Sequence, residues 1–420
     1  MIKKVLSNEF NRNVFTLLTG TVIAQVIPIA ISPILTRLYS PDDFGIFALY
    51  MSVTTILSVM ATGRYELAII LPEKDEEAFN IAILAVIISI IFSFVLLLIV
   101  ILFNQPIAML LGSEQFSSWL YFVPLTILLT ALFQSLNYWS NRKKKYKSIA
   151  KSKMSQAFGA GAINLSMGIP KIGVIGLIFG NIISQIIGSS ILLKTNISDI
   201  RKYKSKILYE DIKATAYNYR DFPKFLVFSH TLNTASLQLS NVLLSVFYSA
   251  TSVGYFSLAL RTLRLPITII ASSIGDVFRQ QAAEEFVKKG NCKRLYINTL
   301  IKLVSISIIP FLILYFSTPW LFSFVFGDNW RVAGIYARVM LIMVFLQFIT
   351  SPLSSMFLVA EKQRLDLIWQ IALFVSTSGS IVIGYFVYND ILKSIQLFTL
   401  SYSLMYIINL ILTYSFAKGK

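Results

Sequence analysis

The chain has 420 residues, 56% of them hydrophobic and only 14% charged, with a mean hydropathy of +0.71 and a formal net charge of +17. That balance excludes an ordinary soluble domain and points to a membrane protein. A single cysteine, Cys292, excludes a disulfide framework and a cysteine-based zinc site.

In chain order, the basic start MIKKVLSNEFNRN leads into an apolar stretch near 14–36 that is long enough to span and lacks a small-residue cleavage site, so it reads as a retained helix. Further stretches follow near 44–63, 80–103, 118–140, 154–170 and 173–193. The basic segment KTNISDIRKYKSKILYEDIKATAYNYRDFPK at 194–224 then interrupts, and the second series runs near 222–247, 254–277, 297–318, 333–359, 367–388 and 395–416. Each approaches the roughly 20 residues needed to cross about 30 Å of hydrocarbon. None shows the two-residue alternation of a barrel strand, so helices remain the way to satisfy the backbone in lipid. The expectation is an all-α polytopic membrane protein of about 12 transmembrane helices.

Most of the 37 Lys and Arg fall on alternate breaks: the N-terminal tail with Lys3, Lys4 and Arg12, the run NRKKKYKSIAKSK at 141–153, the 194–224 segment, and the stretch from Arg279 to Lys302. With twelve spans these share one face, which the positive-inside rule makes cytoplasmic together with both termini. The positive charge is then a topology signal, and nucleic-acid binding is not needed to explain it.

Two short corners repeat. LYSPDDFGIFAL at 38–49 and FYSATSVGYFSL at 247–258 both join the first span of a half to the second. Over Leu35–Leu49 against Leu244–Leu258, six of fifteen positions are identical. GSEQFSSWLY at 112–121 and GDNWRVAGIY at 327–336 form a fainter pair between third and fourth spans. The pattern predicts two six-helix lobes related by a parallel pseudo-two-fold repeat: residues 1–193, a basic cytoplasmic linker at 194–221, and residues 222–420. Tyr and Trp at span ends, including Trp119, Trp139, Trp320 and Trp330, are expected in an interfacial belt.

The run GTVIAQVIPIAISPILTRLYSPDDFGIFALYMSV followed by RYELAIILPEKDEEAFNIAIL, with VGYFSLALRTLRLP and LFSFVFGDNWRVAGIYARVMLI in the second half, resembles the bacterial polysaccharide flippases, the Wzx-type O-antigen and capsule transporters of the multidrug/oligosaccharidyl-lipid/polysaccharide exporter superfamily. The resemblance implies a carrier, not an enzyme, that moves an undecaprenyl-pyrophosphate-linked oligosaccharide from the cytoplasmic to the periplasmic leaflet of the inner membrane. It implies no cofactor beyond a coupling proton or sodium ion. The implied partners are the lipid-linked oligosaccharide and membrane lipids, with a polysaccharide polymerase and a chain-length regulator.

Such cargo needs a wet, cationic, hydrogen-bonding surface inside the bilayer. Arg261 and Arg264 in LALRTLRLP are three apart, share a helix face, and suit a pyrophosphate through bidentate bonds. Their bland alternative is snorkelling to headgroups or pairing with Asp276. Arg37 is a candidate at the periplasmic mouth, while Arg64 beside Glu66 reads first as an interfacial ion pair. Asn233 and Asn241 lie on a polar stripe of the seventh span, with Gln25 and Gln134 as further glycan partners or helix-to-helix bonds. His230, the only histidine, is the coupling-ion candidate. Two relatives in chemistry stay open: a drug or cation antiporter of the same superfamily, which would favour buried acids, and a peptidoglycan-precursor flippase, which usually carries two extra spans. A polymerase or ligase would need a large periplasmic loop with catalytic groups, and no such loop or constellation is present in the sequence.

Overall fold

In hydrocarbon the backbone must bond within its own segment, and the apolar runs accordingly become long helices. The structure, a computed structural model, describes residues 9–204 and 208–419, with the side chains of residues 9–18, 233 and 269 outside that description. Lys3, Lys4, the Arg12 side chain and the Asn233 side chain therefore lie outside the described residues. The helices are α1 (Glu9–Leu38), α2 (Pro41–Ala61), α3 (Asp75–Leu110), α4 (Val123–Arg142), α5 (Tyr146–Gly168), α6 (Ile175–Lys204), α7 (Tyr209–Asn218), α8 (Val227–Phe247), α9 (Ala250–Leu263), α10 (Ser272–Lys289), α11 (Lys293–Phe326), α12 (Arg331–Thr350), α13 (Gln363–Ile383) and α14 (Ile391–Ala417). They form two compact units, Met1–Gln238 and Leu239–Lys420, whose boundary falls inside α8.

The protein is an all-α, multi-pass membrane protein. Eight described helices are long and apolar enough to cross a membrane, and nine are if Glu114–Leu120 and Val123–Arg142, bent by 48°, make one broken span. The expected spans at α5, α8 and the α9 stretch are not among these: α8 contributes the shorter apolar helix Thr234–Phe247, and α9 is 14 residues long. These carry Lys147, Lys151 and Gln156, then His230 and Asn241, then Arg261 and Arg264. A helix of that composition needs protein or water against its polar face.

The repeated corners have a local cause. Ser40 caps α2, its side chain accepting from the Asp43 amide while the Asp43 carboxylate accepts in return from the Ser40 amide. Ser249, at the matching position, caps α9 by accepting from the Ser252 amide. The tyrosine before each cap does matching work. Tyr39 donates to the Asn164 carbonyl at 2.6 Å and meets the α5–α6 corner, where a Cβ on Gly176 would lie 2.0 Å from its hydroxyl. Tyr248 shares a 2.5 Å hydrogen bond with Ser394 at the α13–α14 corner. The fainter pair agrees: Gly112 (φ 74) and Gly327 (φ 99) hold left-handed backbone that only glycine adopts freely, and each is soon followed by a one-turn 3-10 segment, Glu114–Phe116 and Asp328–Trp330. Phe116 and Trp330 are both fully buried, edge-on to Tyr50 and Tyr255.

Two tryptophans expected in an interfacial belt are core residues. Trp330 is 0% exposed, and Trp139 packs edge-on against Phe79 and donates to Asp199 at 3.3 Å. Both stand near a helix end, but each indole turns inward because its own unit supplies a ring or a carboxylate there. Trp320 is 65% exposed and stacks on Phe324.

The basic segment after the sixth span is anchored to the first unit. α6 runs on to Lys204, and α7 packs on α3. Tyr65 donates to the Ala216 carbonyl at 2.9 Å, and Tyr219 donates to Glu77 at 3.1 Å. Arg142, at the end of α4, closes the same region: its Nε donates to Asp75 at 3.0 Å, and its other nitrogens donate to the carbonyls of Ile69, Ile70, Pro72 and Glu73. A guanidinium on the carbonyl end of a short helix matches its partial negative charge. Lys143 pairs with the same Asp75; burial pulls its ammonium down, but the Asp75 hydrogen bond and charge outweigh it and hold the group above the usual lysine range. The loop between α2 and α3 is thereby tied to the end of α4.

Candidate functional site

In the second unit, α9 starts at its Ser249 cap and buries Val253, Phe256, Leu260 and Leu263 on one side. Arg261 is exposed and Arg264, at the helix end, is half-buried. The two share a helix face in sequence but stand in different surroundings. Arg264 Nη2 donates to the Tyr402 hydroxyl on α14 at 3.2 Å, and its Nε is buried without a partner. Tyr402 stacks on Tyr406 at 5.1 Å. Thr399 and Ser403, on the same α14 stripe at helical spacing, also have buried hydroxyls without partners, as does Thr350 on α12. Neither arginine makes an ion pair among the described residues; Asp276, the acid weighed as their partner, binds Arg279 at 3.1 Å instead. After Arg264 and Pro266 the backbone passes through a π-helical turn, Ile267–Ala271, because proline lacks the amide that would continue the ladder.

In the first unit, the loop closed by Arg142 presents a buried ion pair. Gly63 (φ 60) and Arg64 (φ 62) are consecutive left-handed residues, which is strained for an arginine. The turn aims Arg64 Nη1 at Glu66 Oε1, 3.1 Å away, with side-chain exposures of 15% and 1%. Thr62 donates its hydroxyl to the other Glu66 oxygen. The ion pair expected from sequence is present, but it is buried. His230 on α8 lies within reach of the charges of Arg64 and Glu66. Gln134 lines a polar pocket together with Arg64, and its Oε1 is buried without a partner.

The other expected residues are dispersed. Gln25 is exposed on α1, and Arg37 is exposed with Nη1 donating to the Pro33 carbonyl of its own helix at 2.8 Å. Asn241 is half-buried on α8. Sequence reasoning missed Tyr402 as the partner of Arg264, and Asn181 and Gln185 on α6 as neighbours of Gln134; polar residues at four-residue spacing in an apolar helix were the available signal for the latter. Among the described residues no group of three His, Cys, Asp or Glu could hold a metal ion.

The solved structures agree on the fold. An inward-facing multidrug resistance MATE family transporter of the MOP superfamily matches with a TM-score of 0.69 at 14% identity, over 94% of this chain and 97% of that one. The lipid II flippase MurJ in an inward closed conformation matches with a TM-score of 0.69 at 15% identity, over 96% and 87%. A MOP superfamily transporter from Pyrococcus furiosus, described as having a binding pocket of reverse polarity, matches at 0.56 and 14% identity, over 96% and 94%. The chain thus has the fold of the MOP-superfamily transporters. The polysaccharide biosynthesis protein family matches residues 34–335, most of the sequence, and the chain belongs to that family. No curated protein sequence matches it.

Proposed function

We propose that this protein is a flippase that carries undecaprenyl-pyrophosphate-linked oligosaccharide repeat units from the cytoplasmic to the periplasmic leaflet of the bacterial inner membrane, by alternating access, for surface polysaccharide such as O-antigen or capsule. Both termini are cytoplasmic in this reading. The observation that carries it is the pair Arg261 and Arg264 at the C-terminal end of α9, inside a stretch expected to span, with no acid paired to either among the described residues. Cationic groups without counter-charges suit a diphosphate headgroup, whereas a drug-cation antiporter would be expected to place acids there. Family membership supports a glycan cargo. Inside-negative potential favours outward movement of the anionic headgroup by about 2.3 kcal/mol per charge per 100 mV. His230 and a proton or sodium gradient are a second source of drive in this reading.

The test is surface-glycan display, with lipid-linked repeat units quantified in each leaflet. Cells deleted for the gene are complemented with wild type, Arg261→Ala/Arg264→Ala or the corresponding Lys variant. Inner-leaflet accumulation relieved by wild type and poorly by a well-expressed double-Ala protein is the expected result. Unchanged glycan after deletion would remove the flippase reading. A peptidoglycan precursor shares the polyprenyl pyrophosphate, and the MurJ-like fold favours it as the second reading. Arrested peptidoglycan synthesis on deletion, with surface glycan intact, would select it.

A further inference from the structure

The first unit contains a polar pocket of about 190 Å³ between α2, α4 and α6, walled by Thr54, Thr130, Gln134, Asn181 and Gln185 together with Arg64. Three atoms of these residues are buried without a hydrogen-bond partner: Gln134 Oε1, Asn181 Oδ1 and Arg64 Nε. Folded proteins rarely leave such groups unpaired, and three in one pocket call for a common explanation. The two amide oxygens can only accept and the guanidinium N–H can only donate. A ligand that satisfies all three must therefore do both.

Charge narrows the class. Arg64 is already paired with Glu66 at 3.1 Å, so the pocket is close to neutral and offers a phosphate or carboxylate little net attraction. Size narrows it further. The volume equals roughly six waters at about 30 Å³ each, below the roughly 300 Å³ at which sites for drug-sized molecules begin. It has room for one sugar ring, and its open side leaves the rest of a longer glycan outside. The Thr54 hydroxyl donates to the Tyr50 carbonyl at 2.8 Å and keeps its lone pairs to accept, while a hydroxyl such as that of Thr130 can both donate and accept, as recognition of a hydroxylated ring requires.

We propose that this pocket binds a single uncharged sugar unit of the glycan, toward which the side chains of Gln134, Asn181 and Arg64 turn so that the sugar hydroxyls donate to Gln134 Oε1 and Asn181 Oδ1 and accept from Arg64 Nε. The choice of a carbohydrate over other hydroxylated molecules rests on the flippase reading. In that division of labour the anionic headgroup and the sugar are recognised by different units of the chain, and the sugar pocket contributes to cargo selectivity.

The experiment uses the full chain in nanodiscs and saturation-transfer NMR with the methyl glycosides of glucose, N-acetylglucosamine, rhamnose and glucuronate at millimolar concentration. Transfer to at least one neutral glycoside is expected, weakened about fivefold to tenfold in Gln134→Leu and in Asn181→Leu at unchanged melting temperature. Thr130→Val, which keeps the shape of the wall, serves as the variant if the leucine substitutions lower the melting temperature. No transfer to any neutral glycoside would mean that the pocket holds water only and would overturn the proposal. So would preference for the glucuronide, or binding unchanged in every variant, which would place the sugar elsewhere. Glycoside binding in a protein whose deletion leaves both leaflets unaltered would retain the pocket and reject the flippase, so the two failures are distinguishable.

Discussion

Replacing Glu66 by Ala tests whether the buried pair organises the α2–α3 loop. The carboxylate is 1% exposed and accepts from Arg64 at 3.1 Å and from Thr62. Its loss strands a guanidinium that is only 15% exposed and whose Nε already lacks a partner. Two hydrogen bonds to a charged acceptor contribute about 1.5–3 kcal/mol each, which agrees with the roughly 3–5 kcal/mol for breaking a buried pair by removing one member. At about 2–4 °C per kcal/mol for a unit of this size, the melting temperature should fall by roughly 6–20 °C. Arg64→Ala should cost a similar amount, since it strands the carboxylate. The double variant should cost clearly less than the two single losses combined, because neither charge is then left unpaired. The assay is thermal unfolding of detergent-purified protein followed by fluorescence. A single-variant loss below about 1 kcal/mol, the range of an exposed pair, or strict additivity in the double variant, would refute the reasoning.

Two further outcomes follow from local geometry. Ser40→Ala and Ser249→Ala should each destabilise by about 1 kcal/mol, with Ser40 the larger because Asp43 completes a reciprocal cap only there; a larger loss at Ser249 in the same melting assay would contradict the assignment. Cys292 is 1% exposed with its thiol pushed up to about 11, burial being the main cause and Glu285 adding to it. Because the folded state holds this proton more tightly than the unfolded chain, stability is lost as pH rises through the ordinary thiol range and beyond. Maleimide at about pH 8 should therefore label the protein only after denaturation, and rapid stoichiometric labelling of the folded protein would show the site to be open.

The sequence by itself determined the fold class, the recurrence of the corners and the residue types inside the membrane. Hydrophobic run length is set by bilayer thickness, and a serine cap is a local device whose partner lies three residues away, so both can be read along one chain. The ion pair of Arg64 and Glu66 was equally legible, being two residues apart. Only the tertiary structure decided what each polar group faces. Trp139 and Trp330 turned inward, Arg264 found Tyr402 138 residues away, and Gln134, Asn181 and Arg64 came from three segments to wall one pocket. A helix repeats its directions every 3.6 residues, so sequence defines a stripe but leaves open whether lipid, water or another helix lies against it. That choice depends on contacts between residues distant along the chain, and it is made when the helices pack.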